Sequence, residues 1–396
     1  MKQTRLRKWN ATAAYTLQQI ATWSFHAVII TFSSNVLRDY GFTDSRISAL
    51  LGIATACSFV LQLALAELVS RSKAKVWGVL AVLGTAMLVC SQLVRMPGLP
   101  SWAAIAAFGV ACMTLQMIPS FTNAMGMDAI KRGSPTNYSF ARGMGSLGYS
   151  VLSFGMGRLV GSFGSGVVPM AASVCGAVLV AAVVWYHFAG ERNLEEPVSA
   201  AAEEKGQEKG FFVQYPQFAV FLVASVLLQL SHNLLASFMY QIMLVKNGSA
   251  AEQGTANAIC ALVEIPVMVF FPLLMRRIRC DKWVRFSSLF IAVKSIGVFL
   301  AGTPGGVFAA QATQILGYGL YTISSVNYAE MVVGRGESVR AQSYLGATVT
   351  VGTLLAASTG GVICEYFGAQ TMVLVSLAAG LLGGITIALT AQRTKQ

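Results

Sequence analysis

Arg142 and Tyr149 stand seven residues apart in a run from Asn137 to about Gly161, long enough to cross a bilayer at about 1.5 Å per residue. Seven residues are close to two helical turns, so both side chains emerge on nearly one face. Gly145 and Gly148 lie between them and let a neighbouring helix or a ligand approach the backbone. An arginine in such a run costs about 2.5–3.5 kcal/mol on the mildest insertion scale, so a polar cavity or a partner must compensate. A fork of donors, a gap and an aromatic ring make a binding surface for a polar solute. The same spacing also fits an arginine near the interface that snorkels to water.

The second candidate is Glu264, flanked by Ala261, Leu262 and Val263 and followed by Pro266. Desolvation favours the neutral form of such a carboxyl, which suits a proton carrier. Lys294, inside the next apolar run, is its obvious basic partner, either for coupling or for a structural ion pair; spacing does not say whether they pair. Further polar groups recur at membrane depth. Gln19, Thr22, His26 and Ser33 share one face of the first run, and His26 is either a ligand contact or a satisfied core histidine. Gln116, Ser120 and Asn123 form a stripe beside Pro119 in the fourth. Gln229, His232, Asn233 and Tyr240 cluster in the seventh. Gln311, Gln314, Tyr318, Tyr321 and Ser325 follow at steps of 3, 4, 3 and 4, one continuous polar and aromatic helical face.

The elements that carry these residues follow from composition. Of 396 residues, 55% are hydrophobic and 11% charged, whereas a soluble domain carries about 25% charged. Apolar runs near 20 residues recur throughout, so the chain is expected to be an all-α, multi-pass membrane protein. Twelve spans are expected, at roughly 11–37, 47–69, 75–95, 101–127, 138–161, 167–189, 216–245, 253–275, 283–301, 305–331, 341–364 and 368–391. The one long polar segment, 191–215, holds clustered glutamates and lysines with Pro197 and reads as a cytoplasmic linker. It separates an amino-terminal six-helix bundle, 1–190, from a carboxy-terminal one, 216–396.

The net charge of +12 is not a nucleic-acid footprint. With the amino terminus inside, only Arg38, Arg46, Arg95, Arg158 and Lys246 fall on the outer side, and Arg142 and Lys294 lie within spans. The rest of the basic residues line one side, the positive-inside pattern, which places both termini and the linker in the cytoplasm. The basic start is read as part of a retained first helix, because the apolar stretch after it is too long and too polar for a signal peptide. None of the seven cysteines sits in a CxxC or Cys/His cluster, so neither a metal site nor a disulfide framework is expected. No nucleophile, metal cluster or carboxylate pair occurs at a catalytic spacing, so an enzyme is not expected, nor a cofactor.

The halves echo each other. Basic loops follow both the second span (Arg71, Lys73, Lys75) and the eighth (Arg276, Arg277, Arg279, Lys282). Polar turns precede both, and Ser249-Ala250-Ala251-Glu252 is a capping-box pattern. A period near 200 residues points to two parallel repeats about an axis along the membrane normal.

Over most of its length the chain resembles the major facilitator superfamily, and within it the lactose permease type of oligosaccharide:proton symporter. The most specific segment is Glu252-Gln253-Gly254-Thr255, then Glu264, Phe271-Pro272-Leu273 and Lys294-Ser295-Ile296-Gly297. The resemblance implies a sugar-contacting glutamate at Glu264 and, at Lys294, the place of an arginine used in proton coupling. Ala141-Arg142 with Gly145, Gly148 and Tyr149 implies a sugar-binding arginine, with Tyr149 where that family has a stacking tryptophan. Departures are equally specific. The family's glutamate partner to the arginine falls at Asn123. Its proton-translocating histidine and glutamate overlay Leu316 and Gly319, and a further aspartate and lysine overlay Leu235 and Gly352. The family's loop after the second helix is reduced to Ala66-Glu67-Leu68-Val69-Ser70-Arg71.

The expectation is therefore a monomeric secondary active transporter of major facilitator fold in a bacterial inner membrane. It would move a sugar or similar hydroxylated solute with protons by alternating access through a central polar site. Arg142, Tyr149, Asn123, Glu264, His26, His232, Asn233, Gln314, Tyr318 and Tyr321 are the expected substrate contacts. Glu264, Lys294 and His232 are the expected coupling groups. A nucleoside, aromatic acid or drug carrier, or a non-transporting membrane sensor, fits the same residues.

Overall fold

The computed structural model describes residues 2–71, 75–96, 98–191, 211–333 and 338–394. Most of the expected linker therefore lies outside the described residues. Among the described residues every regular element is helical: α1 (Lys2–Ile29), α2 (Ser33–Asp39), α3 (Asp44–Arg71), α4 (Val76–Val94), α5 (Ser101–Lys131), α6 (Tyr138–Phe163), α7 (Val167–Tyr186), α8 (Phe211–Gln214), α9 (Pro216–Ser237), α10 (Met239–Val245), α11 (Ala250–Met275), α12 (Cys280–Leu300), α13 (Pro304–Ala312), α14 (Tyr318–Val332), α15 (Ser338–Phe367) and α16 (Ala369–Thr390). A π-turn, His187–Glu191, closes α7, and a 3₁₀ turn, Thr313–Ile315, follows α13.

Among the described residues, nine helical stretches are long and apolar enough to cross a membrane, consistent with twelve passes. The expected spans outside that set are informative. They include α6, which carries Arg142 and is rich in glycine and serine, and the tenth span, which breaks between α13 and α14.

The chain divides into two compact units, Met1–Gly41 with Ile53–Lys205, and Phe42–Gly52 with Gly206–Gln396. In the first, α1 packs against α6, α7 and α5, and α4 against α5 and α7. Its core holds Tyr15, Phe25, Phe108, Leu179 and Tyr186, all fully buried or nearly so. In the second, α9 and α12 both pack on α16, α15 packs on α9, and α11 on α13 and α14. Phe218, Phe221, Tyr321 and Tyr328 fill that interior.

Local chemistry places the helix starts. The Ser249 capping box forms as its pattern predicts: Ser249 Oγ accepts from the Ala251 amide at 3.1 Å, and Glu252 accepts from the Ser249 amide at 2.8 Å. Asn137 caps α6 by accepting the Phe140 amide at 3.1 Å. Three spans read as single helices from the sequence are broken. The first turns at Ile30–Phe32, the seventh at Phe238, and the tenth at Thr313–Gly317. Two of these breaks, in the first and seventh spans, fall near corresponding places of the two repeats. In hydrocarbon, backbone freed by a break must find partners or line a cavity, so each break marks a position to inspect for function.

Candidate functional site

Each unit carries its own buried polar cluster. In the first, Gln19 of α1 is the hub. Its Nε2 donates to the Tyr15 hydroxyl at 2.9 Å and to Asn123 Oδ1 at 3.1 Å. Its Oε1 accepts from Trp23 Nε1 at 3.1 Å. Tyr15 in turn donates to the Thr122 carbonyl at 3.1 Å. Arg142 of α6 lays its guanidinium carbon 4.1 Å from the centroid of the Trp23 ring, and its Nη1 donates to Ser146 Oγ at 3.0 Å. The His26 ring lies 5.8 Å from that of Trp23. Four expected or face-forming residues, Gln19, His26, Asn123 and Arg142, thus meet around one tryptophan. Tyr149 sits further along α6, where its hydroxyl pairs with Thr31 at 3.0 Å, at the break in the first span.

The approach of α6 to α1 depends on Gly145. A Cβ there would lie 2.6 Å from Trp23 Cδ1, so any side chain would push the indole away from the guanidinium. Trp23 is a functional neighbour that the sequence reading of the first span does not single out, although it stands one turn after Gln19. Its hydrogen bond to Gln19, four residues earlier on the same helix face, is the signal that finds it.

The second cluster is built where the tenth span breaks. Lys294 of α12 donates from Nζ to Gln314 Oε1 in the 3₁₀ turn, and Gln314 Nε2 donates to Glu264 Oε1 on α11 at 2.5 Å. The two ionisable groups that the sequence singles out are thereby bridged by one amide. Lys294 also reaches Cys260 Sγ at 3.7 Å. Gly319, in the first turn of α14, leaves tight room for a side chain: a Cβ would meet Glu264 Cγ at 3.1 Å and the Gln314 carbonyl at 3.3 Å.

Beside this chain, His232 of α9 and Tyr318 of α14 stack with ring centroids 3.5 Å apart, and Tyr318 donates to Gln229 Oε1 at 2.9 Å. His232, Lys294, Ser295, Gln314, Gly317 and Tyr318 border a small cavity of about 10 Å³. That is the space of about one water molecule, so it admits a single polar group and not a whole ring. Asn233 turns back to the Gln229 carbonyl at 2.8 Å. Tyr321, 1% exposed, donates to Ser225 Oγ at 2.7 Å and belongs to the packed interior. The even 3–4 spacing from Gln311 to Ser325 describes two short helices and a turn, and the turn is what aims Gln314 at Lys294.

These observations describe a polytopic bundle with ionisable chemistry at membrane depth, and comparison with known proteins agrees. The sequence profile of the MFS_1 like family matches residues 14–375. The chain belongs to that family. It is accordingly a multi-pass membrane transporter of the major facilitator type and not an enzyme. No curated sequence matches this MFS_1-like chain significantly. Among solved structures it is similar to the nucleoside transporter NupG, with a TM-score of 0.74 at 13% identity, covering 96% of this chain and 98% of that one. It is also similar to a bacterial homologue of the iron transporter ferroportin in an inward-facing state, with a TM-score of 0.70, 15% identity, and 97% and 99% coverage. A third is a POT family transporter in complex with a thioalcohol-conjugated peptide, with a TM-score of 0.69, 9% identity, and 96% and 94% coverage. At such identities the likeness is one of fold.

Proposed function

We propose that this MFS_1-like protein is a secondary active transporter that takes up a sugar or similarly hydroxylated small solute together with protons, by alternating access. It acts in a bacterial inner membrane with both termini in the cytoplasm, as the charge distribution favours. The observation that carries the reading is the Glu264–Gln314–Lys294 chain at a broken span, since ionisable groups at membrane depth are costly and mark substrate or proton pathways. In this reading Glu264 carries the proton and accepts hydroxyl hydrogen bonds. Arg142, fixed over Trp23, donates to adjacent hydroxyls of the solute, and Tyr149 offers its ring. Asn123 orients Arg142 through Gln19 and Trp23. The lactose permease type remains the nearest functional analogy for Glu264 and Arg142.

A nucleoside is the second reading. It is favoured by the flat aromatic surface of Trp23, which suits a base as well as a sugar ring, and by the fold shared with NupG.

Thermal-shift measurements on the purified protein with uridine, adenosine, lactose and melibiose separate the two, because a ligand stabilises in proportion to its affinity and concentration. The compound that stabilises is then offered to proteoliposomes under an imposed inward proton gradient. Wild-type protein is expected to concentrate it, and Glu264→Gln to equilibrate it without concentrating it. Undiminished accumulation by Glu264→Gln ends the coupling assignment, and binding without counterflow exchange would make the protein a sensor.

A further inference from the structure

The tenth span does something the neighbouring spans do not: it gives up its helix for the Thr313–Ile315 turn at membrane depth and resumes at Tyr318. A backbone break of this kind is tolerated where something else holds it. Here the hold is a side chain. Gln314 is 2% exposed, and its amide is used at both ends, Oε1 accepting from Lys294 and Nε2 donating to Glu264. Gly317 lies backbone to backbone against α12, where a Cβ would stand 3.3 Å from Ile291 Cα, and Gly319 lies against Glu264. The turn is therefore wedged between α11 and α12 with one polar fastening to each.

We propose that Gln314 is the positioning residue that couples the protonation of Glu264 to the conformation of the broken tenth span. The inference rests on the reading of Glu264 as the proton carrier. With Glu264 ionised, the amide lies between a cation and an anion, and both of its hydrogen bonds are charge-assisted. Bonds of that kind are roughly twice as strong as neutral ones. A proton arriving from the medium binds a Glu264 carboxylate oxygen and converts the carboxylate into a neutral acid. One end of the chain then loses its charge, Lys294 is left without the anion it is paired with through the amide, and the fastening of the 313–317 turn to α11 weakens. Release of the proton restores it.

Other titratable groups facing Glu264 leave this sequence intact. They are Cys260 one turn earlier on α11, Lys294 from α12 and Tyr318 from α14, with His232 of α9 stacked behind Tyr318.

Hydrogen exchange of the purified full-length protein, followed on peptides covering 313–319 across the acid-to-neutral range and corrected for intrinsic exchange, tests this without any solute. Wild-type protein is expected to lose protection of these amides by about tenfold as pH falls, the worth of one charge-assisted hydrogen bond. Glu264→Gln and Gln314→Met are both expected to exchange at the fast rate at every pH. Gln314→Asn keeps the amide but is one methylene too short to reach both partners, so it should behave as the Met variant does and guards against a Met variant that fails to fold. If Glu264→Gln is flat while both Gln314 variants follow wild type, Gln314 is not the link and the proton-carrier reading stands. If Glu264→Gln keeps the wild-type pH dependence, Glu264 is not the titrating group and both readings fall. A wild-type turn whose protection is independent of pH overturns the inference outright.

Discussion

His232 and Tyr318 lie ring on ring, centroids 3.5 Å apart and planes 3° from parallel, although one comes from α9 and the other from α14. The Tyr318 hydroxyl is held at the same time by Gln229, one turn before His232. A single α9 face thus grips both the ring and the hydroxyl of a residue that begins the second half of the broken span. Tyr318→Phe keeps the stack and loses the hydrogen bond, at a cost of about 1 kcal/mol. Tyr318→Leu loses the aromatic contact as well, about 0.5–1.5 kcal/mol more. Thermal unfolding in detergent should rank wild type above Phe and Phe above Leu. Equal melting of the two variants would show that the stack contributes nothing.

The Trp23 and Arg142 pair makes a second, separable prediction. A guanidinium over an indole in a partly desolvated site is worth about 0.5–2 kcal/mol, and lysine cannot reproduce the planar stack or the donor fork. A double-mutant cycle with Trp23→Leu and Arg142→Lys, read by thermal stability, should return a coupling energy in that range. Additive losses would mean that the 4.1 Å approach carries no energy.

How far these relationships were legible in advance depends on which signal encoded them. Hydrophobic runs and the side on which lysine and arginine fall are repeated many times, so the all-helical, many-span architecture is readable from composition. The Ser249 capping box is local, and the residues that form it are adjacent in sequence. Glu264, Lys294 and Arg142 stand out because charge in an apolar run is expensive. What connects them is not local. Gln314 looks like one of several polar residues on an even helical stripe, and only the 3₁₀ turn, set by packing of Gly317 against α12, turns it into a bridge. Trp23 is apolar in type and becomes polar in role only through Gln19 and Arg142. Tyr321 shows the converse, a polar stripe residue that tertiary packing assigns to the interior.

Lys246, in the turn between α10 and α11, is 5% exposed, and burial pulls its ammonium below the ordinary lysine value of 10.5. A folded-state pKa below the unfolded one means that the folded protein binds fewer protons there. The charge is therefore a penalty at all pH values below the folded pKa, and the penalty disappears as pH climbs to the ordinary lysine value. Lys246→Met should melt higher than wild type at neutral pH, and the two should converge in alkaline solution. Melting curves at about pH 7 and about pH 11 check both signs. A gap that does not close in alkali would trace the difference to packing instead of charge.

The first turns of α3, Asp44–Gly52, group with the second unit and lie against α15. Contact here is backbone to backbone. Gly361 donates its amide to Ser48 Oγ at 3.1 Å, Ser48 Oγ donates in turn to the Ala357 carbonyl, and a Cβ on Gly361 would stand only 2.0 Å from the Asp44 carbonyl oxygen. Two further polar contacts flank the crossing, the Ser45 amide donating to Glu365 at 2.7 Å and Gln241 Nε2 donating to Asp44 at 3.1 Å. No rotamer relieves a clash with backbone, so Gly361→Ala must separate the two helices, whereas Ser48→Ala removes only hydrogen bonds worth about 1 kcal/mol each. A cysteine at Ser45 reports the difference: its labelling by a water-soluble maleimide, read by mass spectrometry at that peptide, should rise severalfold with Gly361→Ala and far less with Ser48→Ala. Equal labelling in the two backgrounds would mean that hydrogen bonds, not close helix approach, hold this segment in place.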